Sequence, residues 1–169
     1  MIDPDGITVR ISETKYNALC GRCAPPPAGA IGPVKGTPLL RASTLNHVNF
    51  RVSNLQRSAA FYQRLFGLPP TLRPLLPPGS HVYGLDFNEC YLSLGLAPDR
   101  VGTVDHFCFG IDNFDLRDAE KLRGAGLAVR GLTGGYPTVY VNDPDGLSVQ
   151  IADSTWKSEC PACDPAPVA

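Results

Sequence analysis

Polar and apolar side chains alternate through LNHVNFRV (45–52), and the period then lengthens to that of a helix in LQRSAAFYQRLFG (55–67). In that second stretch Leu55, Ala59, Tyr62 and Phe66 share one face, and Gly67 is placed to end the helix. The same sentence is written again 59 residues on. VDHFCFGIDNF (104–114) repeats the strand and its Asn-containing helix start, with His47 on His106, Phe50 on Phe109 and Asn54 on Asn113, and DLRDAEKLRGAG (115–126) follows as a shorter helix ending at Gly124/Gly126. Each helix is trailed by three short strand candidates: TLRPL, HVYGLDF and CYLSLGL in the first half, AVRGL, TVYV and LSVQIA in the second. The pattern predicts an α+β fold of two βαβββ modules.

A second repeat runs at a different offset. DPDGITVRISETKYNALCGRC (3–23) aligns with DPDGLSVQIADSTWKSECPAC (143–163), including Gly6 on Gly146, Tyr16 on Trp156 and both cysteine pairs. Residues 1–23 therefore read as the last strand and tail of a preceding module, and residues 24–40, rich in Pro and Gly, as a linker. The domain proper is expected over 41–153, with a Cys/Pro tail over 154–169. A strand cut from such a module keeps an apolar face (Ile7, Val9, Ile11), so residues 6–12 are expected to dock as a strand on this domain or on a second copy, giving a homodimer by strand addition or module pairing.

Composition removes several functions. The 169 residues are 43% hydrophobic and carry 15 basic against 16 acidic side chains, for a formal charge of -1, with no basic run to meet nucleic acid. No apolar stretch nears the roughly 20 residues of a spanning helix, and the Asp3/Asp5 start is unlike a signal peptide, so a soluble chain without a membrane partner is expected, in the cytoplasm or exported after loss of a signal segment. Cys20/Cys23 and Cys160/Cys163 lie too far apart for a usual zinc ribbon; they suit a disulfide in an oxidising compartment and free thiols in a reducing one. Cys90 and Cys108 fall on strands as small buried residues.

LNHVNFRVSNLQRSAAFYQRLFGL, VDHFCFGIDN and YVNDPDGLSVQIAD, in that order across residues 44–153, resemble the vicinal oxygen chelate superfamily of glyoxalase I, extradiol dioxygenases, fosfomycin-resistance and bleomycin-binding proteins. The resemblance implies a half-open curved sheet with the helices outside and a small-molecule site on its concave side. Strand parity then assigns the faces. Val48, Phe50, Val52, Phe107, Phe109, Ile111, the leucines 92, 94 and 96, Val149 and Ile151 are expected in the core. His47, Asn49, Arg51, Tyr91, Ser93, His106, Cys108, Ser148 and Gln150 are expected in the cavity.

In metal-using members of the resembled family, His47 and His106 match ligand positions, Ser93 stands at an often acidic one, and Gln150 replaces the closing glutamate. A divalent metal (Fe, Mn, Ni or Zn) held by His47, His106 and Gln150 is the implied cofactor, bound more weakly than with the acid because an amide brings no charge. Tyr140, Asp143, Pro144, Gly146 and Gln150 also follow the closing motif of extradiol dioxygenases, although the histidine those enzymes carry shortly before the tyrosine is missing from GLTGGYPTV. Tyr140 and Arg51, the latter a candidate anion anchor, are the further catalytic candidates. Two functions are thus expected of the small-molecule site: a metal-dependent dioxygenase, lyase or isomerase, or a metal-free binding protein of the bleomycin-resistance type. A purely structural repeat is a third reading. The proline-rich LPPTLRPLLPPGS (68–80) is a candidate lid, and His81 a surface residue.

Overall fold

A computed structural model describes residues 1–9, 11, 36–70, 82–87, 90–131 and 138–156. The TLRPL strand candidate, His81, most of the candidate lid, both Cys-x-x-Cys pairs and most of the linker and tails lie outside them.

Two strand-to-helix passages organise the chain, and each is fixed by a side-chain cap. Strand β1 (Ala42–Val52) hands over to helix α1 (Leu55–Phe66) at Asn54, whose side-chain oxygen accepts from the Arg57 amide; Gly67, at φ 68°, ends the helix by donating its amide to the Gln63 carbonyl. After β2 (Val82–Phe87) and β3 (Cys90–Leu96), strand β4 (Thr103–Ile111) leads to α2 (Leu116–Gly124), which opens on a reciprocal capping box between Asp115 and Asp118. Strands β5 (Thr138–Asn142) and β6 (Ser148–Asp153) complete the described architecture.

All six strands form one sheet in the order β2-β3-β1-β4-β6-β5. The two modules meet where β1 runs antiparallel to β4, while β1/β3 and β4/β6 are parallel, so the second half repeats the first about an axis through the β1/β4 seam. Of the strand expected after the second helix, the described residues form a single bridge, Arg130 to Tyr140; a matching bridge, Pro70 to Leu85, lies at the other outer edge, just before the undescribed TLRPL. A proline has no N–H to give to a ladder, which suits an edge position.

Each helix covers its own half of the convex face. Val52, Leu55, Ala59, Tyr62, Tyr83, Leu85 and Leu94 form one core, with Phe50, Leu92 and Leu96 against it; Ile111, Phe114, Ala119, Leu122, Val139 and Ile151 form the other, with Val149 against it. Between the helices the described residues leave the seam uncovered. Phe109, expected inside, is 37% exposed and Phe107 half-buried, because parity chooses a face of the sheet and no helix among the described residues lies over that part of it. Phe66, at the last turn of α1, is likewise exposed.

The leading segment docks on the domain in a form that differs from the expected added strand. Among the described residues its one bridge is internal, Ile2 to Thr8, making a hairpin tip whose Val9 rests on the first core.

The covered and uncovered parts of the sheet predict unequal costs. Leu94→Ala, at a fully buried site, should lose about 2–5 kcal/mol in urea unfolding, whereas Phe109→Ala should lose less than about 1 kcal/mol. Comparable losses at both positions would contradict the uncovered seam.

Candidate active site at the module seam

The seam is not a regular ladder. Between the pairs Leu45/Phe109 and His47/Cys108 the register shifts by one, leaving Asn46 as an extra residue of β1; between Asn49/His106 and Phe50/Val104 it shifts again, leaving Asp105 as an extra residue of β4. Asn46 and Asp105 are equivalent under the 59-residue repeat. A bulge breaks the strict in-out alternation, so each of these side chains comes to lie beside the histidine that follows it.

Their contacts are equivalent too. The Nδ1 of His47 lies 2.9 Å from Asn46 Oδ1, and the Nδ1 of His106 lies 2.7 Å from Asp105 Oδ2. Asn46 has no freedom to turn its amide over, because its Nδ2 already donates to the carbonyls of Ser154 (3.3 Å) and Trp156 (2.7 Å). Both rings therefore carry their proton on Nδ1, and both Nε2 atoms present lone pairs. These two nitrogens stand 3.0 Å apart.

Gln150 supplies a third acceptor. The Thr138 hydroxyl donates to the Ile151 carbonyl (3.3 Å) and so accepts from Gln150 Nε2 (2.8 Å), which turns the Gln150 oxygen toward the rings. The Gln150 side chain favours the protonated form of both imidazoles, as an acceptor beside them does. Its oxygen is buried, and no donor reaches it at hydrogen-bonding geometry. Three lone pairs thus share one buried place with no hydrogen among them, an arrangement that costs free energy unless a cation completes it.

A proton is a poor choice of cation here. Burial, reinforced by the neighbouring His106 and opposed by Gln150, pushes the His47 pKa down to about 3. Burial also lowers that of His106, against the pull of Asp105. A metal ion fits better: two bonds of about 2.1 Å at about a right angle put their nitrogens about 3.0 Å apart. Among the described residues no group of three His, Cys, Asp or Glu side chains gathers as a metal site; the third donor here is an amide.

The surroundings are aromatic on one side and charged on the other. Tyr91 stacks on the His47 ring with centroids 4.5 Å apart, Trp156 lies tilted against the same ring at 5.7 Å, and Tyr140 meets His106 edge-on at 5.4 Å. Arg51 pairs with Asp105 at 2.6 Å and the exposed Arg100 approaches the same carboxylate at 3.5 Å. Burial would raise the Asp105 pKa, but the hydrogen bonds from His106 and Arg51 and the Arg51 charge outweigh it and hold the group low.

The structure thus brings His47, His106, Gln150, Tyr91 and Tyr140 together, with Arg51 engaged through Asp105. Asn49 donates to Ser93 at 2.7 Å, and both are buried. Cys108 is buried in register between His47 and Gln150, where burial raises its thiol pKa to about 12. Ser148 pairs in register with His106, and its hydroxyl accepts from Arg130. Asn46, Asp105, Thr138 and Trp156 were not anticipated as site residues; the aligned text LNHVNF/VDHFCF carries the signal for the first two, a hydrogen-bonding residue before each histidine.

A curved sheet of two pseudo-symmetric modules, with paired histidines at its seam, defines a class of small-molecule proteins. The chain belongs to the Glyoxalase/Bleomycin resistance protein/Dioxygenase superfamily, whose family model matches residues 44–151. Among solved structures it is similar to methylmalonyl-CoA epimerase from Mycobacterium tuberculosis (TM-score 0.52, 15% identity, 71% of this chain and 92% of that one). It is similar also to a Streptomyces coelicolor methylmalonyl-CoA epimerase variant in complex with 2-nitronate-propionyl-CoA (0.52, 17%, 69% and 100%). A catechol 2,3-dioxygenase matches over 68% of this chain but only 40% of its own length (0.54, 17%). At these identities the likeness is one of fold. No helix among the described residues is long and apolar enough to cross a membrane.

The depressed histidines predict a pH response. Unfolded histidines take up protons near the ordinary value of 6.5 while the native rings resist, so the unfolded state binds more protons below that pH and stability falls as the pH drops. The melting temperature of the metal-free protein should decline between pH 6.5 and 5, and His47→Gln should flatten that decline. An unchanged slope in the variant, read by calorimetry, would remove the assignment.

Proposed function

We propose that this chain is a metal-assisted enzyme acting on a small molecule with adjacent oxygen atoms. His47 Nε2, His106 Nε2 and Gln150 Oε1 would hold the divalent ion. The observation that carries this reading is the convergence of three buried lone pairs whose orientation is fixed from behind by Asn46, Asp105 and Thr138. When bound, the ion supplies Lewis acidity to a substrate oxygen.

The protein's own residues have separable tasks. Asn46 and Asp105 keep the protons on the far nitrogens, and Arg51 neutralises and positions Asp105. Tyr91 and Trp156 hold the His47 ring in place, and Tyr140 flanks His106. The carboxamide at Gln150 favours the isomerase or lyase branch over oxygen chemistry, since the facial triad of iron oxygenases closes with an anionic carboxylate. The same missing charge is what favours the second reading, a metal-free binding protein.

Titration with Mn²⁺, Ni²⁺ and Zn²⁺ by calorimetry separates the two. One equivalent should bind, and His47→Ala/His106→Ala should abolish it. Gln150→Glu should tighten binding roughly tenfold or more by supplying the anion, and Asp105→Asn should weaken it roughly 10- to 100-fold. No binding by the unaltered chain, with none gained in Gln150→Glu, would leave the binding-protein reading standing.

A further inference from the structure

The leading hairpin is held by a slot built for an acidic turn. Asp5 accepts from the Ser53 amide (3.1 Å) and hydroxyl (2.7 Å), from Arg57 Nη2 (2.8 Å) and from the Ser58 hydroxyl (2.5 Å). Asp3, buried, accepts from the Tyr62 hydroxyl at 2.8 Å. The Asp5 carbonyl fits against Gly102, where a Cβ would stand 2.4 Å from it. This slot is particular to the first module: at the 59-residue offset Ser53, Arg57, Ser58 and Tyr62 become Asp112, Leu116, Arg117 and Lys121.

The chain contains a second turn of the same shape, and that one is exposed. In the first turn the Asp3 amide donates to Ile7 O (2.9 Å), Gly6 N to Asp3 O (3.2 Å), and the Asp5 and Ile7 amides to Asp3 Oδ1 (2.9 and 2.7 Å). In the second, Asp143 N donates to Leu147 O (2.9 Å), Gly146 N to Asp143 O (3.0 Å), and the Asp145 and Leu147 amides to Asp143 Oδ1 (3.0 and 2.8 Å). The glycines sit at φ 90° and 87°. Even the flanking pair corresponds, Ile2/Thr8 in one and Asn142/Ser148 in the other. Residues 1–9 thus reproduce the tip of the β5–β6 hairpin, whose Pro144, Asp145 and Gly146 are exposed to solvent.

We propose that the α1 slot is a docking site for the β5–β6 hairpin tip of a second copy of this chain, and that residues 1–9 occupy it in cis as a tethered copy of that tip. The contact joins unlike surfaces, so copies assemble head to tail when the slot is free. The tethered hairpin competes at high effective concentration and keeps the intact chain apart. This inference is independent of the metal site.

The test uses the full chain carrying Asp3→Ala/Asp5→Ala, which empties the slot. Sedimentation should show concentration-dependent association, and adding Asp145→Ala should weaken it roughly tenfold or more by removing the carboxylate the slot recognises. A variant that stays monomeric over the same range, or one that associates equally with Asp145→Ala, overturns the proposal. Should the double variant not fold, a cyclised peptide of residues 141–149 (VNDPDGLSV) titrated into the single variant Asp5→Ala, whose own hairpin has lost its hold on the slot, gives the second reading. Saturating shifts of the Ser53, Arg57 and Ser58 amide resonances support docking, and their absence at millimolar peptide overturns it.

Discussion

Two imidazole nitrogens facing each other across 3.0 Å, each with its proton committed to the opposite edge of its ring, are the constraint on which the centre of this protein turns. Lone pairs repel, and a separation of 3.0 Å leaves no room for a water between them. The surrounding chain accepts that cost and fixes it in place from several directions: an amide locked by two carbonyls behind one ring, a carboxylate locked by an arginine behind the other, and a hydroxyl that turns the Gln150 oxygen inward. That cost, fixed from several sides, is the physical ground on which the proposed function rests.

The duplicated architecture explains how the arrangement arises. Each module brings one histidine and one bulge to the seam, and the antiparallel pairing of β1 with β4 sets the two rings face to edge. The symmetry is then broken chemically. Asn46 is neutral and Asp105 anionic, so the ring of His106 is the more basic partner and that of His47 the less, although both are depressed by burial. The third acceptor comes from β6 alone, beside β4, so the acceptor set is lopsided toward the second module.

Much of this was legible in the sequence, and the parts that were not share a cause. Alternation along LNHVNFRV and VDHFCFGI put both histidines on one side of the sheet, and the parity of LSVQIA put Gln150 with them; the two-module fold followed from the repeat itself. Asn46 and Asp105 escaped because alternation assumes an unbroken pleat, and they sit where the pleat is interrupted. Phe109 was assigned inward correctly as to face and incorrectly as to cover, since helix placement over a sheet is not written in the strand's own period. Trp156 lies beyond the last strand, in a turn closed by the Asp153 carbonyl, where no periodicity points. The strand expected after the second helix is reduced, among the described residues, to one bridge at Arg130, a loss of pairing that apolar content alone does not foretell.

The segment just past β6 has an influence out of proportion to its size. The carbonyls of Ser154 and Trp156 decide which end of the Asn46 amide faces His47, and through it which nitrogen of that ring is bare. Backbone four to six residues downstream of Gln150 therefore governs a tautomer on the far strand of the seam. Anything that pulls this stretch away, such as a neighbouring polypeptide competing for it, would let the amide rotate and hand the imidazole's hydrogen to the wrong side. The paired lone pairs of the seam would be lost without His47, His106 or Gln150 being touched.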